Sequence, residues 1–150
     1  MGNKVANLRK AMESIEEHIG SVKRQSKIYQ TDAWGRRDQD FFLNQVLIVS
    51  TEKNAQTILE SCLDIEQSMG RIRSEKWMER IIDIDILYFN EDIINTEILS
   101  VPHPEIQNRR FTLEPLTELI PEFVHPVFGQ TNSNLLNECT DDLEVNEFIN

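Results

Sequence analysis

The sequence of 150 residues predicts an α+β fold in a single domain, residues 1–150, and three observations carry that prediction. Two apolar stripes at helical spacing, over residues 4–19 and 54–70, are separated by strand-like runs over 21–30 and 41–50 and followed by a third over 81–89. No internal repeat, low-complexity segment or interdomain linker divides the chain. The order is helix, strand, strand, helix, strand, followed by an irregular C-terminal part with an extra hairpin and short helices. With one more strand in front it becomes β-α-β-β-α-β, the ferredoxin-like plan, so the pattern reads as that plan lacking its N-terminal first strand.

The first helix rests on Val5, Leu8, Met12, Ile15 and Ile19, with Asn3 as a cap and Gly20 as a stop signal. Residues 21–30 alternate weakly through Val22 and Ile28, and residues 31–40 form a polar loop with a lone Trp34. Residues 41–50 make a strong strand. The second helix, with Asn54 as its cap, turns Ile58, Leu59, Cys62, Ile65 and Met69 inward and leaves Glu66 at the margin of that face. A charged loop over residues 70–79 leads into residues 81–89, rich in β-branched and aromatic residues and expected as a buried strand. Beyond it a short hairpin is expected over 93–101, ending at Pro102-His103-Pro104. A short helix follows over 111–120, containing Pro115 and stopped by Pro121, and a further helical turn over 135–138. The acidic tail from 141 offers a weak edge strand through Leu143, Val145 and Phe148.

A hydrophobic content of 39% and a charged content of 27% are those of a soluble globular protein, and a net charge of −11 argues against nucleic-acid binding. Cys62 and Cys139 are too few for a disulfide framework and read as reduced thiols of a cytoplasmic protein. No CxxC or HExxH pattern points to zinc, no apolar run reaches membrane-spanning length, and no signal-peptide core precedes the first helix.

The chemistry concentrates at residues 80–89. In a strand, Asp83 and Asp85 point the same way, ~7 Å apart, between Ile81 and Leu87, while Ile82, Ile84 and Ile86 face the other side. For a bare D-x-D, two solvated surface acids are as good a reading as any. With both faces apolar, a divalent cation or an arginine cluster that offsets their repulsion fits better, and Mg²⁺ is the natural cation. Arg71, Arg73, Lys76 and Arg80 precede the pair, and Arg109 and Arg110 follow it. Each alone reads as ordinary surface charge; together they suit a polyphosphate. No glycine-rich phosphate loop is present. Trp34, Trp77, Phe42 and Phe111 border polar loops. They either tuck under those loops or form a stacking slot for a flat heterocycle, with Asn44 reading its polar edge. His103, between two prolines, either contacts phosphate or caps its turn.

The stretch Arg80-Ile-Ile-Asp83-Ile-Asp85-Ile-Leu-Tyr-Phe resembles the R-x-x-D-I/L-D-I/L signature of the 6-hydroxymethyl-7,8-dihydropterin pyrophosphokinases of folate biosynthesis. The likeness extends, in family order, to Tyr29-Gln-Thr31-Asp-Ala-Trp34-Gly35, Phe42-Leu-Asn44, Glu66 with Gly70-Arg71-Ile-Arg73, Val101-Pro-His103-Pro, and Asn108-Arg109-Arg-Phe111. It implies transfer of pyrophosphate from ATP to the pterin hydroxymethyl group, with release of AMP. It also implies two Mg²⁺ ions on Asp83 and Asp85, and phosphate contacts from Arg71, Arg80, His103 and Arg109. Arg73 and Trp77 would lie on a closing loop, and Glu66 and the Ile86 backbone near the nucleotide. Phe42 and Phe111 would stack on the pterin, with Asn44 at its edge and the backbone from Thr31 to Trp34 completing the slot. Pro104 stands where some members carry Tyr, and the loop between Arg73 and Trp77 is short for the family. The family's first strand ends just ahead of the segment matching residues 1–4. The resemblance therefore implies a monomer when that strand is present, and lower stability or strand exchange between copies when it is not. Two other readings share the D-x-D. A different Mg²⁺-dependent phosphoryl or nucleotidyl transferase is disfavoured by Asn44 and the loop aromatics. An inactive ferredoxin-like interaction module is disfavoured by the presence of Asp83, Asp85, Arg80 and His103.

Overall fold

A computed structural model describes residues 3–32, 41–70 and 81–149. The chain forms two compact units, Met1–Lys23 with Ile48–Ile86, and Arg24–Leu47 with Leu87–Asn150.

In the first unit, α1 (Lys4–His18) and α2 (Ala55–Ser68) pack together. Both begin on asparagine caps as expected. The Asn3 side chain accepts from the Ala6 N–H at 3.0 Å and that of Asn54 from the Thr57 N–H at 2.8 Å. Ile15 and Ile19 bury one end of the α1 stripe, and Ala55, Ile58, Cys62 and Ile65 bury that of α2. Glu66 is not at the margin of α2: its side chain lies on the inner face and is 6% exposed. Gly20 is required by close approach, because a Cβ there would fall on the Ser50 carbonyl oxygen. Thr51 reinforces the contact by donating its hydroxyl to the Ile19 carbonyl at 2.7 Å.

The two expected long strands are each broken in the middle. Residues 21–30 form β1 (Ser21–Gln25) and β2 (Tyr29–Asp32), and residues 41–50 form β3 (Phe41–Asn44) and β4 (Leu47–Ser50). β1 pairs with β4, and β2 with β3. The break sits at buried Ser26, whose hydroxyl accepts from the Val46 N–H at 2.9 Å while its carbonyl accepts from the Gln45 amide at 2.8 Å. A serine able to substitute for ladder hydrogen bonds lets both strands bend at the same level. β2 also reaches further than expected, taking in Thr31 and Asp32.

In the second unit, β3-β2-β7 is an antiparallel sheet in which β7 (Val145–Glu147) is the edge strand expected from the tail. The hairpin is two short strands, β5 (Ile94–Asn95) and β6 (Ser100–Val101). A 3-10 turn (Ile106–Asn108) leads to α3 (Arg110–Leu119), which carries Pro115 inside it, and α4 (Asn132–Glu138) starts a turn earlier than expected because Thr131 caps it. Ile106, Leu113, Leu116 and Leu135 form the core of this unit, with Val46, Leu87 and Tyr88 packed against it.

The main departure concerns residues 81–89. Among the described residues no strand pairs with them, and they are neither a strand nor buried. A strand exists through its ladder partners, and side-chain composition reports only what such a segment would bury. The alternation survives. Asp83 and Asp85 are exposed, while Ile82, Ile84 and Ile86 are half-buried. No helix among the described residues is long and apolar enough to cross a membrane.

Candidate active site

Each unit carries its own set of chemical groups. In the first, Asp83 and Asp85 are exposed residues on either side of Ile84. The peptide between them is fixed from below, where the Glu66 carboxylate accepts from the Ile84 N–H at 2.7 Å. α2 thus holds the acidic segment through a part-buried, charge-assisted hydrogen bond. Nearby Cys62, 3% exposed, has its thiol pushed up to about 11, first by burial and then by the charges of Glu66 and Asp85. It remains a protonated packing residue, as its place on the apolar face of the helix suggests.

In the second unit, the register of the sheet places Thr31 opposite Phe42 and Tyr29 opposite Asn44. Directly opposed residues share a face, so Thr31, Phe42 and Asn44 line one surface. α3 lies over that surface. The Tyr29 hydroxyl donates to Glu118 at 2.7 Å, and the Lys27 N–H donates to the same carboxylate at 3.1 Å. Burial and that carboxylate hold the Tyr29 phenol above its usual range, so it stays a donor. Two features of this surface are unusual. Phe42 is 56% exposed, and the Thr31 hydroxyl is buried without a hydrogen-bond partner among the described residues. A buried hydroxyl left unpaired costs about 1–3 kcal/mol, which a polar ligand group would recover. Phe111 stands in the first turn of α3, half-buried, with the Arg109 guanidinium 5.7 Å from its ring centroid. His103 follows the cis Val101–Pro102 peptide and is anchored by its N–H donating to the Leu87 carbonyl at 2.9 Å. Its Nδ1 accepts from the Glu105 N–H at 3.1 Å, which leaves the ring proton on Nε2.

Of the basic residues singled out in the sequence, Arg110 does not join such a site. It turns toward the carbonyls of Cys139 and Asp141. Trp34, Arg71, Arg73, Lys76, Trp77 and Arg80 lie outside the described residues. Sequence reasoning missed the bond from Glu66 to Ile84 and the unpaired Thr31 hydroxyl. The spacing of Glu66 four residues after Cys62 is the signal that could have revealed the first.

The sequence model of the 7,8-dihydro-6-hydroxymethylpterin-pyrophosphokinase (HPPK) family matches residues 1–121. The chain belongs to the HPPK family. Among similar HPPK-family proteins, the 2-amino-4-hydroxy-6-hydroxymethyldihydropteridine pyrophosphokinase of Aquifex aeolicus is 37% identical over 128 residues, covering 85% of this chain and 79% of the relative. The Methylorubrum extorquens enzyme of the same name is 39% identical over 132 residues (87% and 82%), and that of Bacillus subtilis 40% over 120 residues (79% and 72%). Among solved structures, a triple mutant of Plasmodium falciparum HPPK-DHPS with pteroate matches with a TM-score of 0.71 at 19% identity, over 91% of this chain. The wild-type protein with SDX-DHP matches with 0.70 at 19%. This chain spans 40% of the length of each of those two chains. At that identity the likeness bears on the fold, which is α+β and ferredoxin-like.

Proposed function

We propose that this HPPK-family protein transfers the pyrophosphoryl group of ATP to the hydroxymethyl oxygen of 6-hydroxymethyl-7,8-dihydropterin in folate biosynthesis, releasing AMP. The hydroxymethyl oxygen forms a bond to the β-phosphorus, the bond from that phosphorus to the α–β bridging oxygen breaks, and the hydroxyl proton is lost. The observation that carries the reading is the β2–β3 surface. An unpaired buried hydroxyl, an amide and an exposed aromatic ring share one face, which is what a flat heterocycle with a hydrogen-bonding edge needs.

In this reading Phe42 and Phe111 stack on the pterin, Asn44 donates to and accepts from its edge, and Thr31 supplies the hydroxyl, with Trp34 completing the slot. Asp83 and Asp85, exposed oxygen donors flanking a fixed peptide, suit Mg²⁺, which takes one or two carboxylates and fills its remaining positions with water and phosphate. Two such ions would neutralise the phosphate oxygens as charge develops on the leaving AMP. Glu66 keeps the carboxylate-bearing segment in place beside the nucleotide, and the Ile86 backbone lies near the base. His103 Nε2–H and Arg109 donate to phosphate oxygens, as do Arg71 and Arg80. By the family resemblance, Arg73 and Trp77 would belong to a loop that closes over the bound substrates. Chemistry of this kind needs positioning and charge neutralisation and no protein nucleophile. The protein is further read as a single catalytic domain of the cytoplasm acting on small molecules, monomeric when the family's first strand is present and open to strand exchange between copies when it is not.

AMP production is the test. AMP should appear only when ATP, the hydroxymethyl dihydropterin and Mg²⁺ are all present, in a one-to-one ratio with the pterin diphosphate. ADP in place of AMP, or turnover in excess EDTA, would overturn the reading.

A further inference from the structure

Among the described residues, the C-terminal segment, residues 139–148, touches β2, β3 and α3, the elements that bear Thr31, Phe42, Asn44 and Phe111. β7 pairs with β2 along Thr31, Gln30 and Tyr29, opposite to Val145, Asn146 and Glu147. The ladder is extended by the Phe148 N–H donating to the Ile28 carbonyl at 2.8 Å. The Phe148 ring stacks on Phe41, the neighbour of Phe42 in β3, at 6.3 Å and 19°. The third attachment is to α3. That helix has no side-chain cap of its own, since its N-cap residue, Arg109, makes no capping bond. A carboxylate 31 residues away supplies one, because Asp141 Oδ2 accepts from the Arg110 N–H at 3.0 Å. The Arg110 guanidinium completes a clamp. Its Nε donates to the Asp141 carbonyl at 2.9 Å and its Nη2 to the Cys139 carbonyl at 3.1 Å, while Glu114 lies 4.0 Å from Nη1. Asp141 is itself held, its Oδ1 accepting from the Leu143 N–H at 3.1 Å.

We propose that residues 139–148 form a positioning strap that sets the width of the pterin slot, with the Asp141–Arg110 clamp as its fastening. This rests on the functional reading above. One end of the strap braces β2 and β3, which bear Thr31, Phe42 and Asn44. The other caps the first turn of α3, which bears Phe111. An anionic cap favours the N-terminus of a helix both as an acceptor and through the helix dipole, so Asp141 holds the Phe111 turn more firmly than a neutral loop would. Loosening the clamp frays that turn, and the aromatic wall on α3 then loses its fixed spacing from the sheet. Asp141 and Arg110 act on the substrate only through Phe111 and are positioning residues.

The test measures two affinities in the full chain. One is that of 6-hydroxymethylpterin with a non-hydrolysable ATP analogue and Mg²⁺ saturating; the other is that of the nucleotide analogue alone. Asp141→Ala should weaken pterin binding about tenfold, the scale of one lost charge-assisted hydrogen bond. Nucleotide affinity should move less than about threefold. Asp141→Asn, which keeps an acceptor oxygen, should recover most of the pterin affinity. Should Asp141→Ala fail to fold, Arg110→Lys serves, since an ammonium cannot reach both carbonyls; it should weaken pterin binding selectively by about threefold. A folded variant with unchanged pterin affinity, or with both affinities lowered alike, would overturn the strap. Absence of pterin binding by the unmodified protein would instead overturn the functional reading and the strap with it.

Discussion

Thr31 offers a sharp separation of stability from function. Its hydroxyl is buried without a partner, so Thr31→Val removes a desolvated polar group while keeping the shape. The variant is expected to melt at the same temperature or higher, yet to bind the pterin about tenfold more weakly. Calorimetric melting and a pterin titration on the same sample check both halves. Glu66 makes the opposite case. Glu66→Ala would leave the Ile84 N–H without its 2.7 Å acceptor and is expected to cost about 1–3 kcal/mol in urea unfolding. His125 is a third, unrelated to the reaction. It is 2% exposed, its Nδ1 accepts from the Val127 and Phe128 N–H groups, and it stacks on Phe128 beside Tyr88. Burial lowers its pKa below that of the unfolded chain. The unfolded state then binds the proton first, so stability is complete above the usual histidine range and falls as pH drops through it. Between pH 7.5 and 5.5 the melting temperature should fall less for His125→Asn, which keeps an acceptor but does not titrate. The residue types at these positions were legible in the sequence, but their partners were not. Nothing in the spacing around Thr31 says that its hydroxyl lacks a neighbour, and the C-terminal attachment of Arg110 depends on a carbonyl 31 residues away.

Among elements, the helices were the most legible. A stripe at 3.6 spacing and an asparagine before it are local facts, and α1 and α2 begin within a residue of where those facts put them. Strands depend on neighbours. Residues 41–50 look continuous in sequence, and only the Ser26–Val46 bonds reveal why they bend between β3 and β4. Residues 81–89 have the composition of a covered strand, yet a ladder requires a second chain segment that their own side chains do not specify. What they keep is the alternation, which is enough to present Asp83 and Asp85 together. Gly20 looked like a helix stop, and α1 does end just before it; it is also the point where the α1–β1 turn meets the Ser50 backbone. Gly20→Ala would force that carbonyl aside and is expected to destabilise the protein by about 1–3 kcal/mol, measurable as a lower urea midpoint with an unchanged slope.

At the scale of the whole molecule, a chain of net charge −11 is asked to bind a polyanion. Coulombic repulsion makes that unfavourable unless cations are concentrated where the phosphates sit. The sequence shows that concentration directly: basic residues cluster ahead of Asp83 and Asp85 and again around Arg109. Motifs in family order made the plan and the chemistry readable over the 121 residues that the family model matches. The C-terminal part beyond them was legible only as a helical turn over 135–138, which lies in α4, and a weak edge strand. Its ties to β2, β3 and α3 arise from tertiary contacts far apart in sequence. The exposed acidic pair is proposed to hold the metal that makes ATP reactive toward the pterin. Measuring Mg²⁺-dependent AMP formation by the unmodified protein and by Asp83→Ala and Asp85→Ala tests it most directly. Each variant should melt within a few degrees of the unmodified protein, because the replaced side chains are exposed, and should lose at least about a hundredfold in turnover. Full activity in either folded variant would contradict the account.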